Sequence, residues 1–342
     1  MAGLRIAAAA VFGRRGVWAV AMLVMLGAPA VVADEKPSAI EISGRPAVSG
    51  HYRYLVDRSR DLVVDGVSEV RNARSSARLE VVDTRDDGIL FSWTLEQVEL
   101  GGEAGLDVEN ITSQLVAGLT GFPVIYWTDR AGSIIEITNF QRLRHTLESG
   151  TAQMLDSIEA MMREEGATQT QIDGARDLST DIMRRIIDQP PAQLGFQLFP
   201  EASLASYSFG MSLVPGEAMI YTSSEPSPLG GPPLALAGEL KAVNVDREKE
   251  QVTIVWKESF APDAVASFMR AFAAMLEERA PEAVRADMLE QFRAVARTMT
   301  IDRHGELLVD LRDGMTISGS VRKETVLGDT RRVDLMSIRR HP

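Results

Sequence analysis

The sequence predicts an α+β fold: a mainly antiparallel, curved sheet or pair of sheets, half-barrel-like, packed with two helical hairpins. Three observations carry this. Several segments alternate apolar and polar residues with period two, and short turns rich in Asp and Gly join them. Two long stretches repeat apolar residues at helical spacing instead. Strands joined by tight turns and not by crossover helices speak against a parallel nucleotide-binding sheet.

The amino end reads as a secretory signal. Arg5, Arg14 and Arg15 precede an apolar run over 17–26, Gly27 and Pro29 break it, and small residues lead to Val31-Val32-Ala33. Cleavage is expected after Ala33, because signal peptidase accepts small side chains one and three residues before the cut. The run is shorter than the roughly 20 apolar residues that span a bilayer, so no transmembrane anchor is expected in the mature chain. The 342 residues include no cysteine, which removes a lipid-modified cysteine, disulfides, thiol catalysis and sulfur-ligated metal. Net charge is −12, and loss of the three arginines of the leader deepens it to −15. An acidic surface repels nucleic acid and anionic head groups, so no nucleic-acid partner is expected. The compartment this predicts is the periplasm.

After the signal (1–33), residues 34–45 form a polar leader. Residues 46–191 form a first lobe of sheet plus helical hairpin. Residues 192–342 form a second lobe on the same plan, or the two join in one continuous domain. In the first lobe Tyr52, Tyr54 and Val56 alternate with polar neighbours, as do Ala77, Leu79 and Val81. A turn at Asp86-Asp87-Gly88 sends Ile89, Phe91, Trp93 and Leu95 to one face, since Asp-Gly tolerates the positive φ of a tight hairpin. A second hairpin turns at Asp129-Arg130-Ala131-Gly132. Asn139 is a candidate cap for a helix carrying Phe140, Leu143, Leu147, Met154, Leu155, Ile158, Met161 and Met162. Gly166 breaks it, and a partner helix carries Ile172, Ala175, Leu178, Ile182 and Ile186 and stops before Pro190-Pro191.

In the second lobe, strands are expected over 203–213, 218–223 and 234–245, with a proline- and glycine-rich loop over 226–233. A charged tip over 245–250 precedes Val252, Ile254 and Trp256. A helix opens at Pro262-Asp263 with Val265, Phe268, Met269, Phe272, Met275 and Leu276 on one face, and Pro281 starts its partner. Four strand-like segments close the chain, with turns at Arg303-His304-Gly305 and Arg312-Asp313-Gly314. Residues 128–135 align with 301–308 as strand-turn-strand units, a pattern that a duplication would leave.

The order Tyr52-Arg53-Tyr54, Asp83-Thr84-Arg85-Asp86-Asp87-Gly88, then Asp129-Arg130-Ala131-Gly132 before a helix resembles uncharacterised secreted bacterial families with curved antiparallel sheets. More distantly, a curved sheet covered by helices is similar to the periplasmic lipoprotein-carrier half-barrel. The resemblance implies an envelope role in carrying or sensing an apolar ligand. The chain departs from the carrier pattern in its greater length and its two helical pairs.

Signatures of chemistry are weak. His51, His145, His304 and His341 are far apart in sequence and form no chelating pair, so no metal site is expected. Ser206-Tyr207-Ser208-Phe209-Gly210 lacks the leading glycine of a nucleophile elbow and reads as strand. Gly101-Gly102-Glu103-Ala104-Gly105 lacks the lysine of a phosphate loop, and Gly230-Gly231 runs into two prolines that have no amides to offer. No catalytic residue and no cofactor is assigned. The strongest feature is apolar: methionines on the helical faces, with Tyr54, Phe91, Trp93 and Trp256 on the sheet. Methionine adapts to varied apolar surfaces, so Tyr54, Phe91, Trp93, Trp256, Met269, Phe272 and Met275 are the candidate ligand-binding residues. Burial of the same side chains as ordinary core is the competing reading. The function this predicts is non-enzymatic: binding of an apolar, lipid-like ligand or an envelope protein. A structural module of an envelope assembly is the alternative, and a hydrolase with dispersed carboxylates the third reading.

Overall fold

The computed structural model describes residues 38–64, 66–101, 118–164, 166–225, 227, 233–279 and 298–341. The signal segment with its cleavage position, residues 102–105, most of the 226–233 loop and the helix expected from Pro281 lie outside them.

The chain opens with a short strand, β1 (Ile40–Glu41), and then β2 (His51–Val64), β3 (Val67–Arg85), β4 (Gly88–Gly101), β5 (Pro123–Asp129) and β6 (Ile134–Ile137). Four helices follow: α1 (Phe140–Glu164), α2 (Gln169–Ile187), α3 (Pro191–Leu198) and α4 (Pro200–Ala205). The remainder is β7 (Ser212–Leu213), β8 (Ala218–Glu225), β9 (Leu234–Asp246), β10 (Gln251–Phe260), α5 (Pro262–Arg279), β11 (Thr300–Asp310), β12 (Thr316–Leu327) and β13 (Thr330–His341). Eleven strands form one curved antiparallel sheet in the order β6-β5-β4-β3-β2-β13-β12-β11-β10-β9-β8, open at β6 and β8. The last strand pairs with the first long one, Ile338 opposite Val56, so sequence-distant ends meet in the middle of the sheet. A latch holds that join. Asp310 accepts two hydrogen bonds from the Arg312 guanidinium, at 2.8 and 2.6 Å, one from the Arg312 amide at 3.1 Å, and one from Arg340 of β13 at 3.0 Å. Tyr52 of β2 donates to Asp313 at 3.2 Å.

The hairpins at Asp86-Asp87 and Asp129–Gly132 form where the sequence places them. At the second, Asp129 Oδ1 accepts from the amides of Ala131 (2.9 Å) and Ser133 (2.8 Å). Gly132 sits at φ 72°, and a Cβ there would meet the Ser206 carbonyl at 2.0 Å. The α2 start is a capping box: Thr168 Oγ1 accepts from Gln171 N while Gln171 Oε1 accepts from Thr168 N at 2.9 Å. Prolines at the first position begin α3 and α4. Asn139 acts on the sheet: its side chain bridges Ile125 N and Pro123 O of β5.

Four expectations are corrected. Residues 203–213, expected as a strand and including Ser206–Gly210, are the end of α4, a run of turns and the two-residue β7. Ser206, Tyr207, Ser208 and Phe209 are all buried, because the segment plugs the sheet face and does not join the ladder. Ser206 donates to Gly132 O and Ser208 to Gly314 O. Arg303-His304-Gly305 is no turn but the middle of β11, paired on both sides, with Gly305 opposite Trp256 and Val321. That also removes the alignment of 128–135 with 301–308 as equivalent hairpins, since only the first turns. Three strands, not four, close the chain.

Candidate functional site

Period-two alternation gives the sheet two faces, and the helices cover one of them. On this inner face lie Tyr54, Val56, Leu79, Phe91, Trp93, Trp256 and Leu307, all buried in one apolar cluster with Leu194, Leu204 and Phe209. Tyr54 donates to Thr316 O at 3.0 Å, and burial pushes its hydroxyl pKa up. Phe91 packs 5.7 Å from Tyr126, Tyr54 lies 6.0 Å from Trp93, and Trp256 stacks on Tyr207 at 5.1 Å. A second cluster joins Leu234, Leu236, Phe260, Val265, Met269 and Ile301, with Phe268, Met299 and Leu327 at its margin. Of the seven candidate residues, the four sheet aromatics therefore pack in the first cluster and Met269 in the second. Phe272 is half-buried and stacks on Phe268 at 6.4 Å. The Met275 side chain lies outside the described residues.

Large side chains on this face lie flat over glycines of the next strand. A Cβ on Gly238 would meet the Tyr221 ring at 2.4 Å, and one on Gly305 the Trp256 ring at 2.2 Å. A Cβ on Gly319 would meet Leu307 Cδ2 at 2.3 Å.

Between the two clusters the strand registers line up charges that no local sequence signal connects. Tyr221 pairs with Gly238, Gly238 with Glu258, Glu258 with Arg303 and Arg303 with Lys323. Lys323 pairs with Asp334, and Asp334 with Arg60. From Glu258 to Arg60 this row crosses four strand gaps, about 19 Å at the usual strand spacing. Its β8–β11 end is closed off. Arg303, 14% exposed, bridges Glu225 at 2.6 Å and Glu258 at 2.5 Å, and Tyr221 donates to Glu258 at 2.7 Å. Burial opposes the charge on Arg303, but the two glutamates outweigh it and hold the guanidinium protonated. At the β12–β2 end the groups are partly open. Asp334 accepts from Arg60 at 2.6 Å and Arg332 at 2.8 Å; against the opposing effect of burial, these arginines hold its carboxyl below the usual range. Lys323 stands between the two halves, facing Arg303 across one strand gap and the already shared Asp334 across the other. Among the described residues its ammonium makes no hydrogen bond or ion pair, and burial pushes its pKa down.

The helical cover brackets this row. α4 sits on one side: Leu204 O accepts from Thr316 at 2.8 Å, and Glu201 pairs with Arg58. α5 packs over β9 and β11 on the other side, at the level of Ile301, which is opposite Thr325. Between these levels β12 runs from Gly319 to Thr325, about 20 Å of strand. Partly exposed Val321 and Met336 line the near side, and Leu327 and Phe268 the far side. The outer face carries a different feature, a polar recess of about 360 Å³ lined by Asp57, Ser59, Arg74, Glu99, Leu335 and Ser337. There Arg74 pairs with Asp57 at 2.7 Å. Among the described residues, no group of three His, Asp or Glu is placed to hold a metal. No described helix is long and apolar enough to cross a membrane.

No family model and no curated protein matches the chain. Three solved structures share parts of its outline. Lipovitellin, in a study of its lipid–protein interactions, is 9% identical with a TM-score of 0.42. The alignment covers 86% of this chain and 25% of that one, so the chain spans about a quarter of lipovitellin's length. DynF from the dynemicin biosynthesis pathway of Micromonospora chersina is 7% identical over 96% of this chain and 92% of its own, at TM-score 0.19. An outer membrane channel from Pseudomonas putida F1 is 7% identical over 91% and 100%, at TM-score 0.18. Likeness at this level carries no argument about activity.

Sequence reasoning missed Glu258, Arg303, Lys323 and Asp334. One signal was present: in the alternation Ile254, Trp256, Glu258, Phe260 the glutamate occupies an inward slot, where an ionised side chain requires a partner.

Proposed function

We propose that this is an exported periplasmic, non-catalytic binding protein that holds an apolar, lipid-like ligand on the inner face of its sheet. The observation behind this reading is the strip between α4 and α5. There Val321, Met336, Leu327 and Phe268 keep part of their apolar surface open beside two packed clusters. Burying apolar area yields about 25 cal/mol per Å², so an acyl chain laid against these side chains on one side of the charge row gains on the order of a few kcal/mol. The inward carboxylates favour binding over hydrolysis, because each is tied to arginine: Glu201 to Arg58, Glu225 and Glu258 to Arg303, and Asp334 to Arg60 and Arg332. The buried sheet aromatics Tyr54, Phe91, Trp93 and Trp256 form the floor that keeps the strip in register, and Met269, Phe272 and Met275 belong to the helix that borders it. Gentle native mass spectrometry of protein purified from the periplasm, with organic extraction of the same sample, tests the reading. A stoichiometric lipid-like adduct supports it. A bare mass, together with failure to take up added lipid, contradicts it.

A second reading, an interaction module of an envelope assembly, draws on the β2–β3 hairpin end, where Val64, Val67 and Val70 are exposed at 42%, 73% and 53%. Loss of a co-purifying envelope protein on Val67→Lys, with lipid uptake unchanged, would favour it over ligand binding.

A further inference from the structure

One cation in the charge row of the inner face has no ion-pair partner among the described residues. Arg303 is matched by Glu225 and Glu258, and Arg60 and Arg332 share Asp334. Lys323 lies between these two groups and, among the described residues, its ammonium makes no hydrogen bond or ion pair. Its opposite neighbour across the β11–β12 ladder is another cation, Arg303. Like charges directly opposite one another are unfavourable, and a partly buried ammonium without a partner costs more than a solvated one. Along its own strand Lys323 has Val321 on one side and Thr325, then Leu327, on the other. Met336 stands diagonally across on β13. This unpaired cation therefore sits on the strip of inner face between α4 and α5, beside the partly exposed apolar side chains of Val321, Met336 and Leu327. It is also a local positive point on a chain whose net charge is −12, so it offers an anion a specific place to dock and little long-range attraction.

We infer that the ligand carries one anionic group, a carboxylate or a phosphate, that docks on the Lys323 ammonium while its apolar body extends from there against the partly exposed side chains flanking Lys323 on β12, Val321 with Met336 or Leu327 with Phe268. The inference rests on the apolar-ligand reading above and specifies its head group. A docked anion would stand against Lys323 as Asp334 stands against Arg60, completing the alternation of sign across the row. A neutral amphiphile would leave the ammonium unpaired and cover it with hydrocarbon, and a cationic one would meet both Lys323 and Arg303.

The experiment is calorimetric titration of the full mature chain with laurate, methyl laurate, dodecylammonium and inorganic phosphate, each below its aggregation concentration, repeated on Lys323→Met and Lys323→Arg. The expected result is laurate bound at least ten-fold more tightly than its methyl ester, with dodecylammonium weaker still. In Lys323→Met the acid-to-ester preference disappears, and in Lys323→Arg it is kept. The wild-type comparison of acid, ester and amine stands without any variant, and thermal melts show whether the variants are folded. Equal affinity for acid and ester overturns the inference and leaves the apolar reading intact. Failure to bind any of the three amphiphiles overturns both. Phosphate binding that depends on Lys323, without laurate binding, also overturns it and marks a site for a free anion in place of a lipid head group.

Discussion

Replacing Gly305 by alanine places a methyl carbon where the structure has none to spare. A Cβ at this position would lie 2.2 Å from Trp256 Cζ2, 2.4 Å from Cη2 and 2.7 Å from the Ser320 carbonyl oxygen. Ser320 O belongs to the ladder backbone, so the indole must give way. Trp256 is 3% exposed and stacked on Tyr207 at 5.1 Å with 24° between the planes, so movement breaks that contact. Overpacking of a core costs about 1–3 kcal/mol and the lost aromatic pair about 0.5–1.5, giving about 2–4 kcal/mol in all. Urea titration followed by tryptophan fluorescence reads this directly, with Gly101→Ala as the control. Among the described residues the control Cβ meets nothing closer than Asn72 O at 3.6 Å, so its effect should stay within about 0.5 kcal/mol. If Gly305→Ala also loses less than about 0.5 kcal/mol, the claim that inner-face glycines seat the large side chains of the next strand is refuted.

Arg303→Met should destabilise by about 3–5 kcal/mol, because it strands the carboxylates of Glu258 and Glu225, whose side chains are 1% and 14% exposed. Adding Glu258→Gln should recover part of that loss in a double-mutant urea series. Asp310 has its pKa lowered from 3.8 to about 2, chiefly by the Arg312 hydrogen bonds. The stability it contributes is therefore complete above about pH 4 and is lost as pH falls toward 2. Asp310→Asn should flatten the acid limb of stability against pH in that window and leave the slope above pH 5 unchanged. Lys323 has its folded-state pKa depressed by burial, so the unfolded chain holds its proton more tightly. Stability linked to it is lowest while it is charged and rises as pH climbs through the folded pKa toward the ordinary value of 10.5. Lys323→Met should therefore raise the urea midpoint while the ammonium is charged, with the gain shrinking as pH rises toward 10.5.

The hairpins and long helices were legible because their signals are local. The Asp-rich 86–88 segment and the Asp129 side chain mark turns within four residues, although the first turn is Asp86-Asp87 and Gly88 already opens β4 without a positive φ. The helical repeats from Phe140 and from Ile172 each run for several turns. The alternation that put Tyr54, Phe91, Trp93 and Trp256 on one face was also sound, since period two follows from the pleat alone. What failed depended on distant partners. Gly305 looks like a turn residue until Trp256 is known to lie across it. The 203–213 segment looks like a strand until its hydroxyls are seen bonding to Gly132 O and Gly314 O. The charge row is the extreme case. Arg60, Glu258, Arg303, Lys323 and Asp334 become neighbours only through four strand registers, including the pairing of β13 with β2 that joins the two ends of the chain.

The proposed ligand, apolar with an anionic head, lies on the inner face between α4 and α5. Photo-crosslinking with a diazirine-bearing fatty acid, read residue by residue by tandem mass spectrometry, tests it most directly. Labels are expected on Val321 and Met336, or on Leu327 and Phe268, that free laurate competes away and that fall in Lys323→Met. Labels confined to the outer-face recess at Asp57, Glu99 and Leu335, or to the Val64–Val70 hairpin end, would contradict it.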